Sequence, residues 1–219
     1  MIILLLGLPG AGKGTQAKRI ADYLRIPHIS TGDLFRKAAQ ERTELGLQAR
    51  EYMEKGELVP DGVTIGLAVK RLARADCEKG FLLDGFPRNV IQAEALDQYL
   101  ASRFMRIDRV IDVAVDETLL LERLTGRRVC SGCGVSYHTI HQPPKNADCC
   151  DLCEARLIHR EDDQESTVLE RLRINKDLTD SLAGYYKAAE ILRTVDGSQE
   201  IGAVSNEILE CLDIRSDGK

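Results

Sequence analysis

A P-loop α/β fold with a parallel sheet is predicted by three observations. Short apolar runs alternate with helical patterns along most of the chain, the first run ends in a glycine-rich loop, and that loop opens into a helix. Residues 1–6 form a continuous apolar run ending at glycine, which suits a strand covered on both faces. From Gly14 onward, Ala17, Ile20, Ala21 and Leu24 recur at helical spacing. Residues 26–30, 81–85, 109–115 and 191–197 read as four further strands, so the sheet is expected to have five strands. Residues 90–103, 116–124, 165–190 and 204–212 carry helical patterns and would flank it.

Two stretches interrupt the alternation. Residues 31–60 are charged and helical, with no strand among them. Residues 126–163 lose the helical period, and they hold clustered cysteines, a Pro143-Pro144 pair and three of the four histidines. The expected organisation is therefore a core of residues 1–29, 60–125 and 164–219, a helical insert at 30–59 and a small lid-like insert at 126–163.

Composition narrows the function classes. With 219 residues, 43% of them hydrophobic and 30% charged, the chain has the make-up of an ordinary soluble globular protein. A formal net charge of −5 speaks against general nucleic-acid binding, so any anion must be met by a local cluster of basic groups. No apolar run is long enough to span a bilayer, so no membrane partner is expected. The opening MIILLLGLPG lacks a basic segment before its short apolar run; it reads as a buried strand, and the expected location is the cytoplasm. Seven cysteines, an odd number, point to thiolate ligands rather than a disulfide framework. Nothing in the sequence demands more than a monomer.

GLPGAGKGT, residues 7–15, matches Gly-x-x-x-x-Gly-Lys between a strand and a helix. Glycines let successive backbone N–H groups turn into one concavity, the helix N-terminus adds positive potential, and Lys13 adds a full charge. The residue after the lysine is Gly14 rather than Ser or Thr, so direct hydroxyl coordination of Mg²⁺ is not expected.

The form of this loop resembles that of the nucleoside monophosphate kinases, and the adenylate kinase family most closely. The resemblance continues in order through STGDLFR (30–36), GELVPD (56–61), LLDGFPRNVIQA (82–93), TGRRVC (125–130) and HREDD (159–163). It implies reversible Mg²⁺-dependent phosphoryl transfer from ATP to AMP giving two ADP, with these nucleotides as partners; a GTP:AMP phosphotransferase and a UMP/CMP-type kinase are the alternatives. It also implies residue roles. Gly10, Ala11, Gly12, Lys13, Gly14 and Thr15, with Arg123, Arg127, Ser136, Tyr137 and Gln199, would bind ATP. Thr31, Arg36, Glu57, Leu58, Val59, Gly85, Phe86, Pro87, Arg88 and Gln92, with Arg160 and Arg171, would bind AMP. Gln92 carries an amide that can both donate to and accept from a purine edge. Lys13, Arg88, Arg123, Arg127, Arg160 and Arg171 would carry catalysis, with Asp84 holding Mg²⁺ through water. Asp162 and Asp163 would face a ribose or the arginines of the lid.

Cys130-x-x-Cys133 and Cys150-x-x-Cys153, sixteen residues apart, have zinc-ribbon spacing. Four thiolates form a closed, structural set, which suits Zn²⁺ and also accommodates iron or cobalt. Acidic Asp148, Asp151 and Glu154 speak against a nucleic-acid ribbon. Cys149 adjoins Cys150 and leaves the register open, although the two-residue knuckle favours Cys150. His138 is expected on the nucleotide side of the lid and Gly126 at its hinge. Cys77 and Cys211 have no partner in sequence. Long-lid members of the family carry a metal-binding lid of this kind.

Overall fold

The computed structural model describes residues 1–214, so residues 215–219 of the expected core lie outside those described. The strand β1 (Ile2–Leu6) is buried along its whole length. Ile3 and Leu5 enter one hydrophobic cluster, and Ile2, Leu4 and Leu6 enter another. That is the alternation a pleated strand imposes, with a core on each face of the sheet. The glycine loop leads from β1 into α1 (Lys13–Leu24), whose Ala17, Ile20 and Ala21 pack on the first cluster.

Next comes β2 (His28–Ser30), two residues shorter than expected at its start. Pro27 has no N–H for the ladder, although its carbonyl still accepts from the Leu82 N–H at 2.9 Å. Ser30 then caps α2 (Thr31–Gln40), its Oγ accepting from the Asp33 N–H. Thr43 caps α3 (Glu44–Glu54) in the same way. Phe35, Ala49 and Val59 give this helical insert a small core of its own. A further helix, α4 (Asp61–Leu72), buries Thr64, Ala68 and Leu72 along one face. Gly62 and Gly66 dilute its apolar pattern, which is why the sequence did not single it out.

The chain continues through β3 (Phe81–Asp84), α5 (Val90–Ser102), β4 (Arg109–Ala114) and α6 (Glu117–Thr125). The lid follows as β5 (Arg127–Cys130), β6 (Ser136–His138) and β7 (Leu157–Ile158). The long α7 (Glu165–Ala188), β8 (Leu192–Asp196) and α8 (Ile201–Cys211) close the core.

The five core strands form one parallel sheet in the order β2-β3-β1-β4-β8. All five expected strands are present, with ends trimmed by one or two residues. Their carboxyl ends share one edge, and β1 lies where the strand order reverses. Ligands of open α/β sheets bind outside that edge. The lid is a separate antiparallel sheet in the order β6-β5-β7. Its buried cluster is only Cys130, Tyr137, Cys150 and Leu157, with Val135 and Ala155 against it. Among the described residues, no helix is long and apolar enough to cross a membrane.

Candidate active site

The loops at the carboxyl edge of the sheet, α2, the lid and α7 surround one cavity of about 1210 Å³. A single small-ligand pocket occupies roughly 300–1,000 Å³, so this one has room for more than one small ligand. Every residue expected to bind nucleotide lines it, with one exception, and of the four expected metal ligands Cys133 alone does. Phe86 is 1% exposed and packs into the second core cluster, so it supports the wall from behind and is not part of it.

At the floor, Gly10 and Gly12 have φ of 89° and 92°, a backbone that L side chains rarely adopt. They turn the loop so that Lys13 starts α1. The Lys13 ammonium folds back and donates to the carbonyls of Gly7 at 2.7 Å and Leu8 at 2.9 Å. Burial pulls its pKa down to about 8; Asp84 opposes the shift, and Arg88, Arg171 and Arg127 add to it. Asp84 ends β3, with His28 Nε2 3.7 Å from its Oδ2. Burial alone would raise its pKa, but His28, Lys13 and Arg88 outweigh burial and hold it below the usual carboxylate range. A Cβ on Gly14 would stand 3.5 Å from Asp84 Oδ2. Glycine after the lysine therefore keeps side-chain atoms out of the space beside this carboxylate.

Over the floor stand the arginines. Arg36 pairs with Asp33 at 2.7 Å, and Arg160 lies 3.8 Å from the same carboxylate. Arg127 grips Asp163 with two N–H groups, while Arg171 reaches Asp162 at 3.1 Å and Asp163 at 3.3 Å. The acidic pair thus faces the arginines. Burial, then repulsion from neighbouring arginines, lowers the pKa values of Arg88 and Arg160, and burial lowers that of Arg171. For Arg127 burial acts the same way, but Asp163 and Asp162 outweigh it and the net shift is upward. The cluster holds more cations than anions in a desolvated cleft, which is an environment for a polyanion. Arg123 sits apart, donating to the Gly197 carbonyl at 2.8 Å, beside Gln199.

The Gly85–Arg88 side of the cleft is braced by residues the sequence did not reveal. Arg88 donates through Nε to the Gly85 carbonyl at 3.0 Å and through a terminal nitrogen to Asn175 Oδ1 at 3.3 Å. Asn175 is 5% exposed, one turn after Arg171 on α7, and its own amide donates to the Arg171 carbonyl. The only signal was its i+4 spacing from Arg171. Gln92 is also more engaged than expected. Its Oε1 accepts from the Arg88 N–H at 2.8 Å and its Nε2 donates to Asp61 Oδ1 at 2.7 Å. Asn89 caps α5 by accepting from the Gln92 N–H. Asn89 and Gln92 thus form a capping-box-like pair that fixes the Arg88 loop. One N–H of the Gln92 amide is left for a ligand.

In the lid, the Sγ atoms of Cys130, Cys133, Cys150 and Cys153 all lie within 4.8 Å of one another. Cys130 and Cys153 are 3.3 Å apart, Cys133 and Cys150 3.6 Å. Tetrahedral zinc with Zn–S of about 2.3 Å needs edges of roughly 3.8 Å. The N–H groups of Gly132 and Cys133 point at Cys130 Sγ, and that of Leu152 at Cys150 Sγ, as thiolate knuckles require. The residues present fit a four-thiolate metal site. The convergent thiols include Cys150 and not Cys149, whose backbone bridges Asn146 and Arg156. Cys77 is buried in the core.

A parallel sheet of this order, a P-loop at its switch point, and arginines converging from two inserts define a P-loop nucleoside monophosphate kinase. The comparisons are specific. The family model for adenylate kinase matches residues 5–191. Adenylate kinase of Geobacillus sp. (strain WCH70) is 53% identical over 97% of this chain and 98% of its own length. That of Bacillus subtilis (strain 168) is 51% identical over the same shares, and that of Clostridium kluyveri 53% identical over 93% of this chain and 94% of its own. The chain belongs to the adenylate kinase family.

Proposed function

We propose that this chain transfers a phosphoryl group reversibly between ATP and AMP, giving two ADP. ATP lies over residues 10–15, and AMP lies between α2 and the Gly85–Arg88 loop. What supports the reading most is that Lys13 and the arginines of both inserts meet over one cleft large enough for two nucleotides. A monophosphate oxygen is already ionised and needs no base to attack. The work left to the protein is alignment and charge neutralisation. Arg36 and Arg88 hold the acceptor phosphate. Lys13, Arg123 and Arg127 hold the donor chain, and Arg160 and Arg171 span both. Asp33, Asp162 and Asp163 keep these guanidinium groups in place until phosphate oxygens replace the carboxylates. Thr31, Glu57, Leu58, Val59, Gly85, Pro87 and the spare N–H of Gln92 frame the acceptor nucleoside. Ser136, Tyr137 and Gln199 flank the donor.

Mg²⁺ enters with ATP and neutralises phosphate charge when bound; Asp84 would hold it through water, in the space that Gly14 leaves free of a side chain. The lid metal, in our reading zinc on Cys130, Cys133, Cys150 and Cys153, supplies folding free energy and no chemistry. Residues 30–59 and 126–163 close on the core of residues 1–29, 60–125 and 164–219, as adenylate kinase lids are known to do, and closure excludes water as a competing acceptor. We place the enzyme in the cytoplasm as a monomer. Steady-state kinetics tests the division of the cleft. Losing one charge-assisted contact, Arg36→Ala should raise the KM for AMP about tenfold or more with that for ATP little changed, and Arg123→Ala should do the reverse. Equal effects on both substrates in both variants would refute it.

A further inference from the structure

His138 has no part in the roles above, yet it is only 9% exposed and stands at the root of the lid. It ends β6, directly opposite Arg127 on β5. Its Nδ1 accepts from the backbone N–H of Ile140 at 3.0 Å and of His141 at 3.1 Å. A ring nitrogen accepting in this way carries no proton, so the proton sits on Nε2. Nε2 donates to the Glu122 carbonyl at 3.2 Å. Glu122 lies in the last turn of α6, and its carbonyl also accepts from the Gly126 N–H. The ring therefore ties the lid to the end of the core helix that carries Arg123. The His141 ring packs over it with centroids 4.5 Å apart, and His141 Nε2 is 2.9 Å from Glu122 Oε1.

Gly126 completes the arrangement. Its φ of −80° suits any residue, so backbone conformation does not call for glycine. A Cβ there would lie 2.3 Å from His138 Nε2. Glycine at the hinge is thus explained by the ring packed against it.

We propose that His138 is a positioning residue for phosphoryl transfer. Its Nε2–H bond to the Glu122 carbonyl sets the angle at which the lid leaves α6, and so where Arg123 and Arg127 stand over the donor phosphates. Arg123 follows the residue that accepts the bond, and Arg127 is the cross-strand partner of the residue that donates it. The inference rests on the donor placement proposed above.

Two near-isosteric substitutions separate this bond from the ring's local role. In H138Q the amide nitrogen takes the place of Nε2 and keeps the donation to Glu122, while the Nδ1 acceptor is lost. In H138N the amide oxygen takes the place of Nδ1 and keeps the turn at 138–141, while the reach to Glu122 is lost. The readout is the KM for ATP and for AMP, each at saturating co-substrate. For one lost hydrogen bond at an aligned site, H138N should raise the KM for ATP about tenfold with that for AMP within about twofold, and H138Q should stay within about threefold of wild type. Gly126→Ala, which displaces the ring, should follow H138N. H138Q performing no better than H138N would overturn the proposal, as would a rise in the KM for AMP as large as that for ATP. The wild-type KM values for ATP and AMP test the donor and acceptor reading itself, so a failure there is seen before any variant is compared.

Discussion

Lys13 shows how a single side chain couples the cleft to pH. Its folded pKa near 8 lies below the ordinary lysine value of 10.5. Between those values the folded chain binds fewer protons than the unfolded one, so this group's contribution to stability rises with pH there; below about 8 it weakens the fold. A polyphosphate over the loop favours the charged ammonium and raises the pKa again. ATP binding near pH 8.5 should therefore take up a fraction of a proton, read as a dependence of the calorimetric heat on the buffer's ionisation enthalpy and absent in Lys13→Met. No buffer dependence in the wild type would contradict the Lys13 assignment. Other residues were harder to read from sequence. Lys13 and the motif arginines were legible because their spacing carries a mechanism. Asn175 and Asp33 were not, since each is an ordinary polar residue until the fold brings it to Arg88, or to Arg36 and Arg160. Phe86, which the resemblance assigned to AMP binding, turns its side chain into the core and not toward the cavity.

At the level of elements, the lid combines a three-stranded sheet with a buried cluster of a few residues. So small a core is marginal without a staple, and four convergent thiolates supply one. With Mg²⁺ kept in excess, chelating the lid metal should lower Tm by roughly 5 °C or more, while initial rates at low temperature fall far less. Loss of turnover with an unchanged melting curve would mean that the metal acts in chemistry. Cys150→Ser should abolish metal retention and Cys149→Ser should preserve it; the opposite result would move the register. The knuckles were readable as spacing, but which of the two adjacent cysteines turns its sulfur toward the other three depends on the folded chain path. The helix α4 escaped notice because two glycines blur its apolar face, and tertiary packing on the sheet decides it instead.

Across the whole molecule, the sheet, the P-loop and both inserts were legible because each leaves a local pattern: a doubly buried strand, a glycine loop before a helix, a loss of period. What local pattern does not carry is convergence. Arg36, Arg88, Arg127, Arg160 and Arg171 come from five separate segments, and only the closed chain path sets them around Lys13 and Asp84. That convergence makes the protein a two-nucleotide enzyme rather than a single-site nucleotide hydrolase. The most direct measurement is ADP formation from ATP and Mg²⁺ with and without AMP, repeated with GTP in place of ATP and UMP in place of AMP. Expected is rapid, AMP-dependent formation of two ADP per ATP consumed, with little turnover on UMP. ADP release that does not depend on AMP, or equal rates with UMP, would contradict it.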